Sequence, residues 1–223
     1  MVAVITIDGP VSSGKGTIAR RVAARLGWHL LDSGALYRLL GLYAQNLGVA
    51  LDDVPALLPL ARALPCRFID NGPELRIELA GEDVSDYLRT EEVGELASQV
   101  AVWQPVREAL LARQQAFAVP PGLVADGRDM GTVVFPQASL KIYLTASPEE
   151  RARRRYNQLK EKGFDANLPA LVEDIRNRDK RDMGRQVAPL QPAEDALLID
   201  STEMTIDDVQ HRVLDEARRR SLV

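Results

Sequence analysis

Nine consecutive residues near the amino terminus, Gly9-Pro10-Val11-Ser12-Ser13-Gly14-Lys15-Gly16-Thr17, have the types and spacing that bind a phosphate chain. Gly9 to Lys15 fits GxxxxGK, in which backbone N–H groups wrap the phosphates, glycine permits close approach and the lysine reaches the terminal phosphates. The motif follows the apolar VITID directly and precedes the helix-compatible stretch from Ile18 to Leu26, so a helix N-terminus faces the anion. One departure stands out. The residue after Lys15 is Gly16, and the hydroxyl arrives one place later at Thr17, which leaves Thr17 to act on phosphate or through metal-bound water. The chemistry implied is transfer of the terminal phosphoryl group of ATP, with Mg2+, to a small acceptor.

The acceptor side is read from three further groups. In Asp32-Ser33-Gly34-Ala35-Leu36-Tyr37-Arg38, Ser33 can cap a helix whose first turns aim Tyr37 and Arg38 at the crevice above a sheet; a capped helix with a solvated arginine fits the same residues. Leu123-Val124-Ala125-Asp126-Gly127-Arg128-Asp129 ends an apolar strand in a carboxylate, a glycine turn, a cation and an anion, where ligands of open α/β sheets sit. Asp126 can hold a metal through water or tie down the turn. Arg178, Arg181, Asp182 and Arg185 share one face if Leu171 to Arg185 is helical. Pairing with Asp174, Asp179 and Asp182 as an exposed salt-bridged helix is the plainer account. Beside a phosphate loop the anion-binding account is preferred, because phosphoryl transfer needs charge stabilisation and a water-excluding lid. Arg151, Arg153, Arg154 and Arg155 spread around a helix, and some of them are expected to be solvated.

Elements that could position these groups follow from short apolar runs separated by helical stretches, the pattern of a parallel βαβ sheet. Strands are expected at Ala3 to Asp8, His29 to Asp32, Leu123 to Asp126, Leu140 to Thr145 and Leu197 to Asp200. Ser147, Pro148 and Glu150 signal one helix start, and Thr205 with Asp208 another. Cys66 to Asp70 and Leu75 to Ala80, joined around Asn71-Gly72-Pro73, predict an antiparallel hairpin inside a substrate-binding insertion at about 64–95. The arginine-dense region at about 151–192, with Gly163 and Gly184 as hinge points, reads as a helical lid. All of this belongs to a single domain spanning 1–223.

With 28 basic against 32 acidic side chains, the surface as a whole is not built to track a nucleic-acid backbone. A single cysteine, Cys66, excludes an internal disulfide and reads as a small buried hydrophobe. His29 and His211 lack companions at metal-ligand spacing. The chain opens directly into VAVITID, with no basic leader and no apolar run approaching about 18 residues, so a soluble cytoplasmic protein without nucleic-acid or membrane partners is expected. Neither NKxD nor DxxG occurs, which argues against a guanine-reading switch.

The segments GPVSSGKGT, WHLLDSGALYR, GEDVSDYLRTEEV, ASQVA, VREALLARQQAF, ADGRDMGTVVFP, EERARRR, RDKRD and VAPL together resemble the bacterial cytidylate kinases, across essentially the whole chain. The GKGT ending is similar to that of nucleoside monophosphate kinases. The resemblance implies an α/β P-loop kinase: a five-stranded parallel sheet flanked by helices, an insertion with a short antiparallel sheet, and a helical lid. It implies phosphorylation of CMP and dCMP with ATP; separately, a monomer is expected. Ser98, Arg107 and Asp129 would contact cytosine, Arg178 and Asp182 the sugar, and Arg38, Arg128 and Arg185 the acceptor phosphate. Ser33 and Tyr37 join the acceptor site, Arg155 the ATP site, and Lys15, Arg128, Arg178 and Arg185 carry the catalysis. A carboxylate at Asp129 suits cytosine, whose exocyclic amine donates where uracil offers an acceptor oxygen.

Overall fold

Apolar runs too short for helices become strands here, and the stretches between them become helices. The computed structural model describes residues 2–70, 75–161, 163 and 165–223, without the side chains of Asp70 and Leu75. The strands are β1 (Ala3–Asp8), β2 (His29–Asp32), β3 (Cys66–Asp70), β4 (Leu75–Leu79), β5 (Glu82–Asp83), β6 (Gly122–Gly127), β7 (Leu140–Thr145) and β8 (Leu197–Asp200). The helices are α1 (Lys15–Leu26), α2 (Ser33–Asn46), α3 (Val54–Arg62), α4 (Glu91–Val100), α5 (Gln104–Gln115), α6 (Pro148–Glu161), α7 (Leu168–Met183) and α8 (Ile206–Arg219). A single turn of tight helix covers Tyr87–Arg89, and a wide π-type turn covers Met130–Val134.

The chain divides into two compact units. One runs to Leu31 and resumes from Gln115 to Val223; the other is Asp32–Gln114. In the first, a five-stranded parallel sheet has the order β2-β6-β1-β7-β8. β1 is central and buried along nearly its whole length, as a strand covered on both faces must be. Its Ile5 and Ile7 meet Val124, Leu140, Ile142, Leu144 and Ile199 in a core closed by Ile18, Ala19, Val22 and Ala23 of α1 and by Val209, Val213 and Ala217 of α8. The pairs Ile18/Ala19 and Val22/Ala23 recur four residues apart on α1, as do Val209, Val213 and Ala217 on α8, which puts each set on one helix face. Thr205 and Asp208 form the expected capping box at the start of α8.

In the second unit, β3, β4 and β5 form an antiparallel sheet, with Phe68 opposite Ile77 and Leu79 opposite Glu82. The third strand was not expected from the sequence. Ala80 and Gly81 both take positive φ (52 and 92°), a two-residue hairpin turn whose alanine gives little warning of it. The Asn71-Gly72-Pro73 turn lies outside the described residues. α2 and α4 approach closely at Gly41, where an added Cβ would lie 2.8 Å from the Leu96 Cβ.

Candidate active site

The phosphate loop is shaped by what its glycines allow. A Cβ on Gly9 would lie 2.0 Å from the Leu144 carbonyl oxygen, and Gly14, at φ 89°, precedes α1 in the left-handed region. Lys15 is therefore the first residue of its helix; it is buried, and its Nζ donates to the Pro10 carbonyl at 3.1 Å. Ser13 Oγ is buried without a hydrogen-bond partner among the described residues, an orphaned hydroxyl suited to a bound oxyanion. Thr17 is exposed. At Gly16 an added Cβ would sit 2.9 Å from Asp126 Oδ2, so a serine or threonine there would crowd the buried Asp126 carboxylate.

Two arginines of α6 fasten the loop from behind. Arg151 Nη1 donates to the Val11 carbonyl at 3.1 Å and Arg154 Nη1 to the Ser13 carbonyl at 3.2 Å. In a planar trans peptide the N–H points opposite the carbonyl, so these contacts turn the N–H groups of Ser12 and Gly14 the other way. The expectation that this arginine run is partly solvated holds for Arg153, 66% exposed, whereas Arg151 is buried. Arg155 lies half-buried on the same helix.

Beyond β6, the carboxylate of Asp8 accepts the backbone N–H groups of Met130 and Gly131, both at 2.8 Å. That clamp fixes the π-type turn immediately after Arg128 and the buried Asp129. Arg128 Nε donates to Asp182 Oδ2 at 2.9 Å, and Arg185 grips the other oxygen, Oδ1. Burial alone would raise the Asp182 carboxyl, but the charges of Arg128, Arg185 and Arg178 hold it below the ordinary range. The Arg128 guanidinium is raised in turn, because Asp182 outweighs the opposing effect of burial. One sequence expectation needs correction here: α7 stops at Met183, so Arg185 reaches Asp182 from beyond the helix end. Asp182 is 2% exposed, so the alternative of an exposed salt-bridged face, already set aside, does not describe it.

In the second unit, Asp32, not Ser33, caps α2: Asp32 Oδ1 accepts the Ala35 N–H at 3.0 Å. Ser33 Oγ instead donates to Gln114 Oε1 at 2.7 Å, both side chains being buried. Arg38 Nη1 donates to the carbonyls of Leu88 (2.8 Å) and Thr90 (3.0 Å). Arg107 is buried with its guanidinium 5.4 Å from the Tyr37 ring centre and donates to the Ala101 carbonyl at 3.0 Å. An aromatic face and a carbonyl are what a buried cation requires. Ser98 is buried on α4. Cys66 is only partly buried, against the expectation of a core position, and burial pushes its thiol up.

A family model for cytidylate kinase matches residues 5–219. The chain belongs to the cytidylate kinase family. The kinase is 60% identical to a cytidylate kinase of Colwellia psychrerythraea, over 95% of this chain and 94% of that one. It is 57% identical to one from Aeromonas hydrophila over 99% and 96% of the two chains, and 60% identical to one from Azotobacter vinelandii over 98% and 96%. In fold the kinase is similar to a gluconokinase from Sinorhizobium meliloti, with a TM-score of 0.50 at 13% identity over 97% of this chain and 92% of that one.

Asp8, Gln114 and Arg151 were not singled out from the sequence. A carboxylate closing the strand just ahead of the loop was the available signal for Asp8. Burial, outweighing the N–H groups of Gly131 and Met130, pushes its carboxyl up to about 6. The folded kinase thus holds this proton more tightly than the unfolded chain, whose aspartates titrate near 3.8. Stability from Asp8 is complete below the unfolded value and is lost as pH rises through the folded one, by about 3 kcal/mol in all. Urea unfolding of the wild type and Asp8→Asn between about pH 4 and about pH 7 should show the wild type losing ground to the variant as pH rises. A constant gap would exclude this titration.

Proposed function

We propose that the phosphate loop, Asp129 and the arginines around Asp182 carry out the family's reaction through direct in-line transfer. The kinase transfers the γ-phosphoryl group of ATP to CMP or dCMP, giving ADP and CDP or dCDP. The match to cytidylate kinases over nearly the whole chain carries the reading. An oxygen of the acceptor phosphate attacks the γ-phosphorus while the bridging oxygen leaves with ADP. Because the acceptor is already an anion, no strong base is needed, and catalysis consists of positioning and charge neutralisation.

The loop from Gly9 to Thr17 takes the ATP phosphates, Lys15 neutralises charge on the moving group, and Arg155 contacts ATP. Arg128 and Arg185 take the acceptor phosphate, and Arg178 with Asp182 the sugar. Asp129 accepts from the cytosine amine. In the second unit, Ser98 and Arg107 serve the base, Arg38 the acceptor phosphate, and Ser33 and Tyr37 complete the acceptor contacts. Asp126, a buried carboxylate against the start of α1, suits a hard cation that keeps most of its waters. Asp126 or Thr17 would hold Mg2+ through water, and the ion would supply further charge neutralisation. Residues 64–95 act as the substrate-binding insertion and 151–192 as the lid. The kinase works as a cytoplasmic monomer without nucleic-acid or membrane partners. Among the described residues no helix is long and apolar enough to cross a membrane.

ADP release with CMP, dCMP, UMP, AMP and shikimate as acceptors tests the substrate, with Asp129→Asn assayed beside the wild type. CMP should be the best acceptor of the wild type. The asparagine should narrow the CMP/UMP ratio by about tenfold or more, since its amide can donate to uracil. An unchanged ratio would remove Asp129 from base reading.

A further inference from the structure

Arg151 meets three separate parts of its unit through one guanidinium. Its Nε donates to the Ala146 carbonyl just past β7 at 2.9 Å, and its Nη1 to the Val11 carbonyl of the phosphate loop at 3.1 Å. Nη1 and Nη2 also fork onto the carboxylate of Asp179 on α7, with Nη1 to Oδ1 at 3.0 Å. Asp179 adjoins Arg178 and precedes Asp182 by less than a helical turn. Arg151 is 3% exposed and Asp179 13%. A buried pair of this kind adds little net stability, because desolvation offsets most of the attraction. Its planar two-point contact fixes direction and register instead, and lysine cannot reproduce it.

We propose that Arg151 and Asp179 are positioning residues for phosphoryl transfer: the pair ties the phosphate loop to α7 and so holds Arg178 and Asp182 in register with the phosphates bound by the loop. The proposal rests on the reading that the loop holds ATP and α7 serves the acceptor. Through Val11, the same guanidinium that anchors α7 also turns the Ser12 N–H toward the phosphate side. A shift of α7 would leave the loop able to bind ATP while misplacing the groups that meet the acceptor. Misplacement of about 1 Å is enough to slow a positioned reaction by up to about a hundredfold.

The test is steady-state kinetics with ATP and CMP, alongside thermal melting, for Asp179→Asn, Arg151→Lys, the double variant, and Arg153→Ala as a control in the exposed part of the run. Each single variant should lower kcat by about tenfold or more while the KM for ATP moves by less than about threefold. The double variant should be no slower than the slower single one, since both break one link. Arg153→Ala should keep wild-type kinetics. Wild-type kcat in a folded Asp179→Asn or Arg151→Lys would overturn the proposal. So would a loss confined to melting temperature, or a double variant whose defect is the product of the two single ones. If Lys15→Ala is inactive while Asp179→Asn turns over normally, the tie fails and the site reading stands. If Lys15→Ala turns over normally, the site reading itself fails.

Discussion

Replacing Lys15 with alanine should lower CMP phosphorylation by about a thousandfold or more while leaving the fold intact. The ammonium is buried at the first turn of α1, with its Nζ against the Pro10 carbonyl of the same loop. In a site poor in water, one fixed positive charge on the moving phosphoryl group is worth far more than in solution, and loss of such a group typically costs two to five orders of magnitude in rate. The loop itself depends on Gly9 fitting against Leu144 and on Gly14 in the left-handed region, neither of which involves the lysine side chain. Thermal melting should therefore shift little while ADP release in a coupled assay collapses. Near-normal turnover would sink the mechanism.

Asp182→Asn is the second large effect. The carboxylate bridges Arg128 and Arg185, and removing its charge leaves two largely buried cations facing each other across an amide. Breaking a buried pair from one side costs about 3–5 kcal/mol, and the amide can retain part of the hydrogen bonding, so a loss of about 2–4 kcal/mol is expected in urea unfolding near neutral pH. Turnover should fall with it, because both arginines are assigned to the acceptor phosphate. The pH dependence runs opposite to that of Asp8. The depressed Asp182 carboxyl stabilises the fold fully above the ordinary value of 3.8, and that contribution disappears as pH falls through its lower folded value. The gap between wild type and variant should therefore close in acid. A gap that is small at neutral pH would show that the two arginines find other partners at little cost.

What could be read in advance divides along physical lines. β1, β2, β7 and β8 coincide with their expected spans; β1 and β7 are buried along nearly their whole length and have no polar alternation to obscure their ends, while the more exposed edge strands β2 and β8 each stop at an aspartate, Asp32 and Asp200. The loop was legible because its chemistry is local: glycine, lysine and a following helix are contiguous in sequence. Arg151 was not legible, since a run of arginines on a helix does not say which one turns inward, and its partners Val11 and Asp179 are 140 and 28 residues away. Asp182 was singled out with the arginines that follow and precede it, but its tie to Arg128, which reaches it from another element, was not legible. Ser33 looked like the cap because serine favours that position, yet Asp32 fills it and frees the serine hydroxyl for Gln114. β5 was missed because an alanine at positive φ carries almost no turn signal.

The grip of Arg151 and Arg154 on the carbonyls of Val11 and Ser13 also decides when the loop loses its backbone freedom. Fixing a backbone residue in one conformation costs about 1–2 kcal/mol of entropy, and a loop that waits unstructured meets that cost when its ligand arrives. Here part of that constraint is met when the chain folds, through side chains of α6 that lie far along the chain from the loop they brace; with the loop taking ATP as proposed, less ordering is left for binding to supply.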